Sequence, residues 1–208
     1  KLPQEVGIDV SVFTRDGIER VMRYALELAL TRPKKQLTLV TKSNAQRHGM
    51  VLWDEVFEKL KHDYLGITTD RMLVDAITTR MVLQPQSLDT IVATNLHADI
   101  LSDLAAALSG SLGIGPTANI NPERTFPSMF EPIHGSAFDL LGKDLANPLG
   151  AFWSCVMMLE HLQEKKGASL LMSAIEEVCQ EERHLPKDLG GNSCTGEVTT
   201  AVCAALKK

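Results

Sequence analysis

The sequence predicts an α/β protein with some parallel strand pairing. Three observations carry this. Strand-sized apolar runs alternate with amphipathic helical stretches between residues 6 and 108. The hydrophobic content is 44% over 208 residues, enough for one large domain or two small ones. No run of about 18 apolar residues offers a membrane span.

The alternation Val6, Ile8, Val10, Val12 reads as a first strand. Thr14 is the expected N-cap of a helix whose apolar positions Ile18, Val21, Met22, Ala25, Leu26 and Ala29 recur at helical spacing until Pro33 stops it. The short run LTLV (37–40) is a second strand, followed by TKSNAQRHG and a helix from Val51 to Tyr64 with Val56, Leu60 and Tyr64 on one side. A weak strand (66–69), a helix (72–83), the strand DTIVAT (89–94) and a helix containing TNLHADILSDL complete the alternation. Such successive βα units argue for parallel pairing. From Ser109 the texture changes: residues 110–138 are dense in Gly, Pro and Asn and read as long loops. Helices follow over 148–163, 168–182 and 197–206, the last with Thr195 as N-cap, and DLGGNSCTG (188–196) reads as a glycine-rich connection.

Net charge is −5 and Lys and Arg are scattered, so neither nucleic acid nor an anionic membrane is an expected partner. Cys155, Cys179, Cys194 and Cys203 show no C-x-x-C spacing, which favours a reduced, cytoplasmic setting over a zinc site. No signal segment opens the chain. The first residues, KLPQEVGIDVSVFT, read as the interior of a longer polypeptide.

Asp99 and Asp103 stand four apart on one predicted helix face, where like charges repel by roughly 0.2–0.5 kcal/mol. Either the helix dipole and solvent absorb that cost, or a cation offsets it. Asp75, at the start of the preceding helix, would make a third carboxylate, a donor set suited to Mg²⁺ or Mn²⁺. His97 and His134 are lone histidines, more often hydrogen-bonded or solvated than ligands. Lys42 follows a strand at its carboxyl end, the edge where open α/β sheets place ligands, although a solvated loop charge is the ordinary reading. Asn44 beside it is an ordinary turn former. His134, Gly135, Ser136 and Ala137 offer exposed amides suited to phosphate or ribose oxygens, and Asp139 could bond ribose hydroxyls. A surface loop is the competing reading.

TKSNA, VDA (74–76), the run from ATNLHADILSDL through GSLGIGPTANINPERTFPSMFEPIHGSA, GKDLANP, MMLEHL and DLGGNSCTGEVTTAV together resemble the metal-dependent β-decarboxylating dehydrogenases of hydroxyacids, the family of isopropylmalate, isocitrate, homoisocitrate and tartrate or D-malate dehydrogenases. The resemblance covers nearly the whole chain, and NINPERTFPSMFEP is similar to the tartrate and D-malate branch. It implies an isopropylmalate-dehydrogenase-like two-domain fold whose N-terminal part lies upstream. Residues 1–109 would be the remainder of the small domain with the dimer interface, and 110–208 the returning half of the large nucleotide-binding domain. The arginines that grip substrate carboxylates and the proton-donating tyrosine would also lie upstream.

By the same resemblance Asp75, Asp99 and Asp103 bind Mg²⁺ or Mn²⁺, with Asp75 and Lys42 supplied by the other subunit of a homodimer that shares its active sites. Lys42, Asp75 and Asp99 would be catalytic. Asn44, His134, Gly135, Ser136, Ala137, Asp139 and Asn147 would bind NAD. The implied activity is NAD-linked oxidation and decarboxylation of a small 2-hydroxy dicarboxylic acid such as tartrate or D-malate. Isopropylmalate oxidation and a non-catalytic, dimerising fragment or regulatory subunit are the alternatives. Phe138 stands where the family commonly has proline, and His97 where relatives often have Phe or Gly.

On this reading the 208 residues by themselves dimerise but form no NADH from D-malate, tartrate or isopropylmalate with Mn²⁺, because lost positioning forfeits ~7–11 kcal/mol of catalytic advantage. Light scattering and absorbance at the NADH band check the two halves.

Overall fold

The computed structural model describes residues 4–208. The chain divides into two compact units, Lys1–Leu101 and Ser102–Lys208.

The first unit is a three-stranded parallel sheet with helices packed on it. Helix α1 (Arg15–Thr31) starts as its sequence predicts, with Thr14 Oγ1 accepting from the Gly17 N–H at 3.2 Å. Strand β1 (Gln36–Thr41) contains LTLV and is buried from Leu37 through Thr41. After helix α2 (Gly49–Leu60), strand β2 (Thr68–Leu73) pairs parallel with β1. Helix α3 (Val74–Leu83) leads to β3 (Thr90–Val92), which pairs parallel on the other side of β1. The sheet order is therefore β2-β1-β3. Met22, Leu26, Leu37, Leu39, Val56 and Phe57 are sealed in the core beneath it, and Phe13 meets Trp53 edge to face at 6.1 Å.

Helix α4 (Asn95–Leu108) crosses the division between the units. In the second unit β4 (Pro116–Asn119) and β5 (Met129–Pro132) form an antiparallel pair with Ala118 opposite Phe130. Helices α5 (Leu149–His161), α6 (Lys165–Glu181) and α7 (Thr195–Ala205) follow, packed around Leu149, Val156, Ile175, Val178, Val198 and Val202. Close approach favours glycine at several places, Gly113 and Gly150 among them. A Cβ on Gly150 would lie 2.7 Å from the Gly113 carbonyl oxygen, and one on Gly113 would lie 2.6 Å from Asp188 Oδ2.

Three expectations need correction. Residues 6–12 are not a strand: they pair with nothing among the described residues, and Val6, Ile8, Val10 and Val12 are 74–81% exposed. Alternation specifies which face a strand would bury, not that a ladder partner exists. The loop read over 110–138 contains the β4–β5 pair, whose short strands carry no alternation to reveal them. Helix α7 begins two residues before the expected 197, and its cap is Cys194 rather than Thr195, the Cys194 N–H donating to the Glu197 carboxylate at 2.9 Å. The four cysteines are free thiols, and no helix among the described residues is long and apolar enough to cross a membrane.

Phe57 is fully buried in the first unit's core. Phe57→Ala is expected to destabilise that unit by about 3–5 kcal/mol, read as a lowered urea midpoint.

Candidate active site

All three parallel strands point their carboxyl ends to one edge, and the polar residues collect there. Lys42 is the first residue after β1. Asp75 lies in the first turn of α3, directly after β2, where an anion is favoured by the helix dipole. The two meet: Lys42 Nζ donates to Asp75 Oδ1 at 2.5 Å. This hydrogen bond, together with one from the backbone, holds the Asp75 carboxyl below the usual carboxylate range. Asp75 is exposed, open to a further ligand.

His97 lies after β3 on α4, buried, with its Nδ1 enclosed and without a hydrogen-bond partner. Burial, helped by the Lys42 charge, holds its pKa below the usual histidine range. Asp99 and Asp103 are both exposed on α4. The helix starts at Asn95 and has no acidic residue in its first turn, so the dipole explanation weighed for Asp99 fails. Their spacing puts both carboxylates on one side of the helix. Among the described residues, no group of three His, Cys, Asp or Glu side chains is placed to hold a metal ion. As a donor set the three carboxylates supply only hard oxygens, which fits Mg²⁺ or Mn²⁺ and not a soft metal.

The cofactor residues predicted from the 134–147 loop are partly brought together. His134, Gly135, Ala137 and Asn147 line a cleft of about 850 Å³ in the second unit, a volume ordinary for a small-molecule site. Ser136 and Asp139 belong to the same loop but stand outside that lining. Asn44 is in the first unit, in a separate cleft of about 440 Å³ with Thr41, Ser43 and Arg71. Ala137 adopts φ 42° and ψ 53°, left-handed backbone rare for a residue with a Cβ. Phe138, beside it, is 80% exposed.

Sequence reasoning missed Ser111, Lys187 and Asp188, which also line the larger cleft. Asp188 Oδ2 accepts from the Ser111 hydroxyl and, at 2.9 Å, from Asn147 Nδ2, while Asn147 Oδ1 accepts from the Leu149 N–H at 2.9 Å. Asn147 is thus oriented from both ends of its amide. An Asp before Gly-Gly looks like any turn former, so no signal marked Asp188.

The sequence model of the isocitrate/isopropylmalate dehydrogenase family matches residues 1–204. The chain belongs to that family. It is 63% identical over 205 residues to a probable tartrate dehydrogenase/decarboxylase of Agrobacterium vitis, covering 99% of this chain and 57% of that protein. It is 47% identical over 209 residues to the D-malate dehydrogenase [decarboxylating] of Escherichia coli (strain K12), covering 97% and 57%. The crystal structure of isocitrate dehydrogenase from Methylococcus capsulatus superposes with a TM-score of 0.91 at 38% identity, over 96% of this chain and 58% of that one. The chain therefore spans less than three-fifths of the length of these relatives. The isopropylmalate-dehydrogenase-like α/β fold read from the motifs is the fold of this dehydrogenase family.

Because the Asp75 pKa is depressed, the Lys42–Asp75 pair is complete above the ordinary aspartate value of about 3.9 and is lost as pH falls through the lower, folded value. Carboxyl-carbon NMR should show Asp75 titrating below 3.9, and Lys42→Met should move its midpoint back toward it.

Proposed function

We propose that the protein carrying this chain oxidises and decarboxylates a small 2-hydroxy dicarboxylic acid of the tartrate or D-malate kind, using NAD⁺ and Mg²⁺ or Mn²⁺. The observation that carries the proposal is the 62–63% identity, over nearly the whole chain, to proteins named as probable tartrate dehydrogenase/decarboxylases. The 46–47% identity to a Bacillus subtilis protein of the same name and to the D-malate enzyme agrees with it.

In this reading residues 1–109 belong to the small domain and 110–208 to the nucleotide-binding domain. The protein works as a homodimer. The exposed Val82 and Leu83 at the end of α3 and Leu96 and Ile100 on α4, apolar side chains a dimer would cover, support this.

When bound, the divalent cation supplies Lewis acidity toward the substrate's hydroxyl and carboxylate oxygens, and NAD⁺ supplies the hydride acceptor. Asp99 and Asp103 would hold the cation from one subunit and Asp75 from the other. Lys42 Nζ, oriented by its hydrogen bond to Asp75, would stand beside the substrate hydroxyl, whose proton only a neutral amine there could accept. On the cofactor side, Gly135, Ser136 and Ala137 present amides to phosphate or ribose oxygens, and His134 and the oriented Asn147 flank the cleft. Asp139 repels a 2′-phosphate and favours NAD⁺ over NADP⁺.

The test is NADH formation by the purified full-length protein with Mn²⁺ and D-malate, tartrate or isopropylmalate. Turnover with D-malate or tartrate that stops on chelation is expected. Turnover only with isopropylmalate would reassign the substrate, and none with any of them would favour a non-catalytic role. Lys42→Met should cost about 10²–10⁴-fold in kcat. Asp139→Lys should narrow or reverse the preference for NAD⁺, measured as the ratio of kcat/KM with the two cofactors.

A further inference from the structure

One buried carboxylate joins the two segments that carry Lys42 and Asp75. Asp54 sits along α2 between Trp53 and Val56 and is 8% exposed. Its Oδ2 accepts two hydrogen bonds of 2.7 Å, from Ser43 Oγ and from Arg71 Nη1. Ser43 is the residue after Lys42. Arg71 lies on β2, four positions before Asp75. The other oxygen, Oδ1, is enclosed without a hydrogen-bond partner.

That arrangement is expensive for what it contributes to stability. A buried carboxylate with one unmatched oxygen carries a desolvation cost, and an apolar residue at the same place on α2 would extend the core without it. What the carboxylate does provide is a fixed distance between two chain segments. The turn after β1 is held internally, since the Ala45 and Gln46 N–H groups both donate to the Lys42 carbonyl at 2.9 Å, so anchoring Ser43 anchors the turn as a body. The Lys42–Asp75 pair cannot do this for itself. Its side chains are 29% and 64% exposed, and an exposed ion pair is a weak restraint.

We infer that Asp54 is a positioning residue: by holding Ser43 and Arg71 on one oxygen, it locks the turn bearing Lys42 against the strand that runs into Asp75. The inference rests on the role proposed above for Lys42 and extends it to a residue that touches neither substrate nor cofactor. A carboxylate that merely packs α2 would leave Ser43 dispensable.

The experiment uses the full-length protein and two readouts, steady-state kinetics with Mn²⁺ and the rate at which trinitrobenzenesulfonate labels Lys42, followed by mass spectrometry. Ser43→Ala, which cuts the link without disturbing the core, should lower kcat about 10- to 100-fold while KM for NAD⁺ stays within about two-fold, and should speed Lys42 labelling. Ser43→Thr, which keeps the hydroxyl, should restore both. Asp54→Asn should fall on the same side as Ser43→Ala, and if it does not fold, the two Ser43 variants decide. An active parent whose Ser43→Ala variant keeps both its kcat and its slow labelling would overturn the inference, as would a Ser43→Thr variant no better than Ser43→Ala. Faster labelling in Ser43→Ala of a parent that makes no NADH from any substrate would uphold the positioning role and remove the proposed reaction instead.

Discussion

Strand β1 is buried on both faces, and a strand of that kind is stable only with a partner on each side and helices above and below. From this one constraint the placement of the polar residues follows. Parallel neighbours need helical crossovers, and α2 and α3 supply them between β1, β2 and β3. Every strand then ends at the same edge. Lys42 leaves β1 there, Asp75 leaves β2 there, and α4 with His97 leaves β3 there. Residues 33 positions apart in sequence come within 2.5 Å of each other because the sheet order puts β1 beside β2.

What was legible in the sequence was local. LTLV announced a strand, Thr14 and Pro33 bracketed α1, and the spacing of Asp99 and Asp103 showed a shared helix face because helix geometry is set by neighbours three and four apart. What was hidden was relational. The β4–β5 pair joins PTAN to MFEP across a Pro-rich segment, and neither tetrapeptide announces its partner. Val6 to Val12 carried a strand's pattern and found no ladder. In the site, motif resemblance named Asn147 but not Asp188, and Lys42 but not Asp54. Both missed carboxylates act on other polar groups, and a residue whose work is to satisfy a neighbour leaves no spacing to read.

The charges at the strand edge are arranged unevenly. Lys42 lowers the pKa of Asp75 by pairing with it, and of His97 by adding a positive charge near an already buried ring. Both shifts run in the direction a nearby cation imposes, although for His97 burial is the larger cause. Asp99 and Asp103, beyond the first turn of α4, have no help from the helix dipole.

The loop on the cofactor side shows the same exchange of local cost for presentation. Ala137 holds a left-handed conformation that costs a residue with a Cβ on the order of 1–2 kcal/mol. A proline at position 138 would push the residue before it toward extended backbone, so the conformation of Ala137 and the presence of Phe138 belong together. The substitution also changes the donors available. Phe138 retains an N–H that proline lacks. The N–H groups of Leu140 and Leu141 are already turned back onto the carbonyls of Ala137 and Phe138, at 2.8 and 3.2 Å. The loop thus closes through its later amides, while Gly135 and Ala137 line the cleft.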